Sequence, residues 1–352
     1  MPGRPLSSAG AAFLTGAPRV SVVIPTWNGA AMLRAALLSL RGQAFRDFET
    51  IVVDNGSTDG TPEMLAEDFP EVRVIALVEN RGFAPATNAG LRAATGGILV
   101  CMNNDLEAEP GWLGALVGAL DRRPDVGSVA SKMMDASRPG IIDAAGDAMS
   151  LVAWNVARGE PDAPKHNVAR EILSACAGAA AYRRELFERV GYLDEGFFAW
   201  FEDVDLGLRA QLAGFRCWYE PTAVVHHLGS ATAAKMSDRK VFLTVRNGLM
   251  LFLKTMPLRR LIPWAPVVLL WPWVDPILTG RPLKVTARAW FAFWPLVPET
   301  LRKRRQAYAL RRVSDAYLVG LLESPWNDVR RALAAVGRRL RGAAAAPPTV
   351  AR

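Results

Sequence analysis

The chain is poor in cysteine and histidine, with three of each in 352 residues. Cys101, Cys176 and Cys217 are scattered through apolar surroundings without CxxC spacing. That argues against a disulfide framework or a structural zinc site, and for buried thiols in a reducing compartment. The apolar stretch over residues 261–274 is interrupted by Pro263, Pro266 and Pro272 and falls short of the about 20 residues that span a bilayer. The first 18 residues have no basic stretch leading into an apolar run, so they read as a flexible leader and not as a secretory signal.

What is present is a chain that is 51% hydrophobic, enough to bury a large core. The net charge of +8 hides a division. Through Ala234 there are 28 acidic against 20 basic residues, and from Lys235 onward 22 basic against 6 acidic. The two parts are expected to do different jobs. Six of the 11 tryptophans, Trp264, Trp271, Trp273, Trp290, Trp294 and Trp326, lie in the basic part. Tryptophan among Lys and Arg around apolar runs suits a membrane interface.

The N-terminal half alternates short apolar runs with helix-like segments. VSVVI, ETIVVD, VRVIAL and GILVCM are each followed by turn residues, a rhythm that predicts a largely parallel sheet covered by helices. Ligands of such sheets bind beyond the carboxyl ends of the strands. PTWNG (25–29), DNGSTDGT (54–61) and NNDLE (103–107) stand there. Asp54 could accept a hydrogen bond from the imide N–H of a uracil or thymine base. Ser57, Thr58 and Asp59 also fit plain turn and cap chemistry. ENRGFAPATNAG (79–90) runs a loop into a helix start, where Arg81 could face a diphosphate with Asn88 on the first helical turns. Asn103 and Asp105 offer hard oxygen ligands for Mg²⁺ or Mn²⁺. Glu202 and Asp203 open a helix-like segment, with His226 and His227 just beyond it: an acid that could take a proton and an imidazole that could hold a metal.

PTWNG, VVDNGSTDGT, NRGFAPATNAG, NNDLE, FEDVDLGLRA and VVHH, in this order from about Arg19 to Ser230, resemble an inverting family 2 glycosyltransferase, and within it the rhamnosyltransferase-like branch. The resemblance implies the GT-A fold: an α/β, Rossmann-like, mostly parallel central sheet with helices on both faces. It implies a donor set of Pro25, Thr26, Trp27, Asn28, Asp54, Asn55, Ser57, Arg81, Gly82, Asn88 and Asn104. Asp105 matches the last acid of the DxD metal motif, whose first acid is here Asn103. His227, preferred to His226, matches the histidine that completes the metal shell in some relatives. Asp203 matches the base, and Glu202 would orient it or bind acceptor. Asp194 resembles a position near the acceptor, while Phe198 and Trp200 could stack on a pyranose ring or pack in the core.

The activity so implied is transfer of a sugar from a nucleoside-diphosphate sugar, dTDP-rhamnose or a UDP-sugar, to a hydroxyl of a glycan or lipid-linked glycan. The expected domains are the leader (1–18), a catalytic domain (19–235), a basic, Trp-rich helical membrane-associating region (236–325) and a basic helix with a disordered tail (326–352). Residues 261–274 are expected to be interfacial or re-entrant, and RKRRQAYALRR (302–312) to meet anionic lipid. No nucleic-acid recognition motif accompanies the charge, so nucleic acid is not an expected partner. The expected location is the cytoplasmic face of the cell membrane. Two other readings are a nucleotidyltransferase, which would want a Gly-rich loop where PTWNG stands, and a nucleotide-binding module without catalysis, suggested by Asn103 alone.

Overall fold

The structure, a computed structural model, describes residues 16–151, 153–156, 158–228, 238–279, 282–327, 330 and 337. Of the expected leader and tail, residues 1–15 and most of 326–352 lie outside these. The described residues fall into two compact units, one within Met1–Ala148, Asn155–Ala233 and Leu310–Val313, the other within Met149–Trp154, Ala234–Ala309 and Ser314–Arg352.

The first unit begins β1 (Val20–Thr26), α1 (Ala30–Arg41), β2 (Phe48–Asp54), α2 (Thr61–Asp68), β3 (Arg73–Ala76), α3 (Phe83–Ala93) and β4 (Ile98–Met102). Strands β3, β2, β1 and β4 run parallel to one another, as the strand–helix rhythm predicts. Both faces are covered. Val20, Val22 and Ile24 pack with Leu33, Leu37 and Leu40 of α1, while Val23 joins Ala86 and Leu91 of α3 in a core on the opposite side. Because side chains alternate along a strand, a run such as VSVVI must be apolar at nearly every position.

Then follow β5 (Leu106–Ala108), α4 (Trp112–Arg122), β6 (Val126–Asp135), β7 (Ile142–Ala144), β8 (Asp147–Met149), β9 (Ala153–Asn155), β10 (Arg170–Ile172), β11 (Ala179–Arg183), α5 (Arg184–Val190), α6 (Glu202–Leu212) and β12 (Arg216–His227). The main sheet has the order β10-β12-β6-β11-β4-β1-β2-β3, with β5 on β12 and β7 on β6. Beyond β4 it is mixed: β11 runs antiparallel to both β4 and β6, whereas β6 and β12 are parallel. This is the GT-A-like mixed α/β sheet.

A buried ion pair fixes α6. Arg209 Nε meets Asp205 Oδ2 at 2.8 Å, and its other nitrogens bond the carbonyls of Val190 and Tyr192 at 2.6 and 2.8 Å. With every guanidinium nitrogen satisfied, the charge can be held inside, and the helix that begins with Glu202 and Asp203 cannot slide.

The second unit is helical: α7 (Asp238–Thr255), α8 (Leu258–Thr279), α9 (Leu283–Phe293), α10 (Val297–Ala309) and α11 (Asp315–Leu321). The proline-broken stretch within 261–274 proves to be part of one helix, which runs through Pro263, Pro266, Pro272 and Pro276. Trp290 ties α9 to it through Nε1 donating to the Leu269 carbonyl at 2.9 Å. Among the described residues, no helix is long and apolar enough to cross a membrane.

Candidate active site

The carboxyl ends of β1 and β2 lie side by side, with Thr26 paired to Asp54. Two loops are stitched together just beyond. Asn28 donates its N–H to Ser57 Oγ at 2.9 Å and accepts from the Thr58 N–H at 2.8 Å. Asp54 Oδ1 accepts from the Ser57 N–H at 3.0 Å. The polar residues that read as turn chemistry therefore also rigidify the rim beyond these strand ends. Pro25 is buried in β1, and Trp27 stands 51% exposed on this rim.

Asn55 extends the stitching. Its Oδ1 accepts from the Arg81 N–H at 2.9 Å and its Nδ2 donates to Asn80 Oδ1 at 3.1 Å and to the Gly82 carbonyl at 3.2 Å. Gly82 has φ +100, and a Cβ there would stand 2.6 Å from the Phe198 ring. The Arg81 side chain is exposed at this bend. Asn88 is placed differently from the expectation that it faces the donor. It is fully buried, its Nδ2 donating to the Leu193 carbonyl and Glu195 Oε1 and its Oδ1 accepting from the Leu193 N–H. Both donors of its amide are taken by these bonds, which tie the 193–195 segment to α3.

At the end of β4, Asn104 Nδ2 donates to Thr26 Oγ1 at 2.9 Å, and Asn103 N–H to the Gly178 carbonyl at 2.8 Å. Asp105 Oδ2 meets His227 Nε2 at 3.0 Å, and the other ring nitrogen, Nδ1, meets Asp143 Oδ2 at 2.9 Å. Strand pairing explains the encounter, since His227 lies opposite Leu106 of β5, one residue after Asp105. His226 points elsewhere, to the exposed Glu109 at 3.1 Å. Burial opposes protonation of His227, but its hydrogen bonds to Asp105 and Asp143 and their charges outweigh it, raising its pKa to about 10. The locality holds surplus negative charge.

Two oxygens here are buried without a hydrogen-bond partner among the described residues, Asp105 Oδ1 and Asn103 Oδ1. Unpartnered buried acceptors are costly unless something positive meets them. Among the described residues no three His, Cys, Asp or Glu side chains form a ready metal cage; Asp105 and His227 meet as a hydrogen-bonded pair.

Asp203 lies one short step away through the backbone. Its Oδ2 accepts from the Ala177 N–H at 3.1 Å, and the next residue, Gly178, carries the carbonyl that holds Asn103. Burial raises the Asp203 carboxyl above the ordinary carboxylate range, with the Ala177 and Val204 N–H groups opposing. Burial and then the charge of Asp203 push Glu202 well above it, and Glu202 Oε2 has no partner among the described residues. The loop before this pair is strained: Phe198, Trp200 and Phe201 have φ +66, +68 and +73. Non-glycine residues in that region cluster at functional sites. Trp200 is 37% exposed and Phe198 partly buried. Asp194 Oδ1 accepts from the Gly196 N–H, capping the short turn Glu195–Phe197.

Sequence reasoning missed Asp143, Arg158 and Asn80. Asp143 and Arg158 lie in a segment without a recognisable motif; pairing of β7 with β6 brings Asp143 to the site, and Arg158 joins it by bonding Asp143. Asn80 stands beside Arg81 in a motif already singled out, and its turn chemistry was the available signal.

The family model described as glycosyl transferase family 2 matches residues 21–191. The chain is 31% identical over 233 residues to the O-antigen biosynthesis protein RfbC of Myxococcus xanthus, a match covering 62% of the chain and 18% of that protein, so the chain spans less than a fifth of that relative's length. It is 30% identical over 262 residues to the N-acetylglucosaminyl-diphospho-decaprenol L-rhamnosyltransferase of Mycobacterium tuberculosis, covering 64% of the chain and 84% of that protein. In fold it is similar to GalNAc-T7, solved with UDP, GalNAc and Mn²⁺, at a TM-score of 0.53 and 18% identity, over 66% of the chain and 47% of the other. With this site at the carboxyl edge of a GT-A-like sheet and these relatives, the chain belongs to glycosyl transferase family 2 and is a glycosyltransferase.

Proposed function

We propose that the chain is an inverting glycosyltransferase that moves a sugar from dTDP-rhamnose or a UDP-sugar to a hydroxyl of a glycan or lipid-linked glycan by one in-line displacement. One observation carries this reading: the neighbouring residues Ala177 and Gly178 join Asp203 to Asn103, the N–H of the first holding the acid at the start of α6 and the carbonyl of the second holding the Asn103–Asp105 turn. The rhamnosyltransferase named above supports the choice of sugar and of a lipid-linked acceptor.

In this reading Thr26, Asn28, Asp54, Asn55 and Ser57 shape the nucleotide end, and the exposed Arg81 faces the diphosphate. Asp105, His227 and Asn103 hold a divalent cation, Mg²⁺ or Mn²⁺. The donor set fits, since such ions are commonly bound by one or two protein carboxylates plus phosphate oxygens, and the unpartnered oxygens of Asp105 and Asn103 are the atoms to receive it. A cation bound there would neutralise charge developing on the departing diphosphate. Asp203 takes the proton from the acceptor hydroxyl as that oxygen attacks the anomeric carbon from the face opposite the diphosphate. Burial raises its basicity, and the Ala177 N–H aims one carboxylate oxygen. Glu202, driven toward its neutral form, keeps a second negative charge away from the base. Phe198 and Trp200 offer ring faces to the acceptor.

The second unit supplies the membrane partner in this proposal. Ile262, Leu270 and Ile277 of α8 are 70%, 62% and 72% exposed, and Phe291 of α9 is 62% exposed; Arg259, Lys284 and Arg288 are exposed on the same two helices. Apolar side chains flanked by cations suit the surface of an anionic bilayer, here its cytoplasmic face. Product analysis with a panel of dTDP- and UDP-sugars, with and without Mn²⁺, tests the reaction. Retention of anomeric configuration, or no transfer from any nucleotide sugar, would sink it.

A further inference from the structure

His227 is hydrogen-bonded on both ring nitrogens, and its two partners differ in kind. Asp105, on the Nε2 side, keeps Oδ1 buried without a partner among the described residues. Asp143, on the Nδ1 side, is itself held: Arg158 Nη2 donates to Asp143 Oδ1 at 2.9 Å and, at the longer distance of 3.2 Å, to Oδ2, and Nε donates to its backbone carbonyl at 3.3 Å. The sheet makes the arrangement rigid. β6 lies between β12 and β7, pairing His227 with Asp135 on one side and Met134 with Ile142 on the other. An imidazole offers a lone pair from one nitrogen only while the other keeps its proton, and the hydrogen bond made by the second nitrogen decides which.

We propose that Asp143 is a positioning residue of the cation site: it accepts a hydrogen bond from the Nδ1–H of His227 and so makes Nε2, whose proton a cation would displace, the nitrogen that ligates beside Asp105. This rests on the cation reading above and adds a residue to it. Arg158 sharpens the assignment. In Asp143→Asn the amide oxygen keeps the shorter of the two guanidinium contacts by taking the place of Oδ1, which turns the new NH₂ toward Nδ1. Nδ1 must then accept, and the ring proton moves to Nε2, where it blocks ligation. The same isosteric change beside a catalytic histidine is known to impose the wrong tautomer while leaving geometry intact.

The test uses the full chain with UDP and Mn²⁺, counting free Mn²⁺ by electron paramagnetic resonance. Asp143→Asn is expected to weaken Mn²⁺ binding about 10- to 100-fold with the wild-type circular dichroism and melting curve. A wild type that binds Mn²⁺ with Asp143→Asn within twofold of it overturns the role of Asp143 alone. A wild type that takes no Mn²⁺ overturns the cation reading and this role with it. The imidazole ¹⁵N spectrum of the wild type with Mg²⁺ and UDP needs no variant and is tractable with three histidines. It should show His227 protonated on Nδ1 and bare on Nε2; a proton on Nε2 also overturns the proposal.

Discussion

Asp203 accepts, through Oδ2, the backbone N–H of Ala177 at 3.1 Å. This bond sets the direction of one carboxylate oxygen without neutralising it, and Oδ1 is turned back to the Val204 N–H at 2.8 Å. An amide oxygen can accept the Ala177 bond equally well. Asp203→Asn keeps that bond, gives up the one from the Val204 N–H, which an NH₂ group cannot accept, and loses the proton acceptor. The expected result is a fall in kcat of roughly 10² to 10⁴ with nucleotide affinity, measured by calorimetry with UDP or dTDP, within a few-fold of wild type. Near-normal turnover would remove Asp203 from the role of base.

Burial makes the pH dependence distinctive. Because a base acts only when deprotonated and burial raises the Asp203 carboxyl, kcat/KM should rise with pH along a limb that lies above the ordinary carboxylate value of about 3.9. A rate profile from pH 4 to 9 locates that limb, and a limb at the ordinary value would contradict the burial argument.

Stability should move the other way. Glu202 is raised in the folded chain, so its favourable contribution is complete below the unfolded value of about 4.3 and is lost as pH climbs through the folded one. Above the unfolded value the folded chain binds a proton that the unfolded chain has released. Glu202→Gln, neutral throughout, should flatten the decline of Tm with rising pH. An unchanged slope would show that Glu202 holds no proton in the folded chain.

The two adjacent histidines should separate cleanly. His227→Ala removes the partner of both Asp105 and Asp143 and is expected to raise the Mn²⁺ concentration needed for half-maximal transfer at least tenfold. His226→Ala removes only an exposed contact with Glu109 and should change that value and stability little. Equal effects would mean that the doublet shares the cation.

Gly82→Ala should damage the site through the backbone. Its φ of +100 and the 2.6 Å approach to the Phe198 ring leave no room for a methyl group, at a cost of about 1–3 kcal/mol. Thermal melting, at roughly 2–4 °C per kcal/mol for a domain of this size, reads the loss. A fully stable, fully active variant would show that the bend between Asn80 and Ala84 can relax.

The nucleotide half of the site was legible because its residues are local. A strand end and the turn after it are contiguous, so PTWNG and DNGSTDGT disclose both their positions and their hydrogen-bonding habits. The rest depends on pairing between distant segments. Asn88 looked like an open helix-start residue from its neighbours, yet its partners Leu193 and Glu195 lie more than a hundred residues onward. Asp143 sits on a three-residue strand with no periodicity to read, and β6 alone brings it to His227. The mixed character of the sheet was hidden for the same reason: the run of small residues at Ala179–Ala181 does not reveal that β11 inserts antiparallel between β4 and β6. The prolines of residues 261–274 read as interruptions, and the helix accommodates them all.

The left-handed residues Phe198, Trp200 and Phe201 bear on how this enzyme can be engineered. At φ values of +66 to +73 glycine is the more comfortable residue, so a search guided by thermal stability alone would favour small replacements there. Such variants would relieve the backbone and, under the acceptor role proposed for Phe198 and Trp200, lose its ring faces. Selection of a hardier catalyst from this chain should hold those three positions constant and draw its gains from elsewhere.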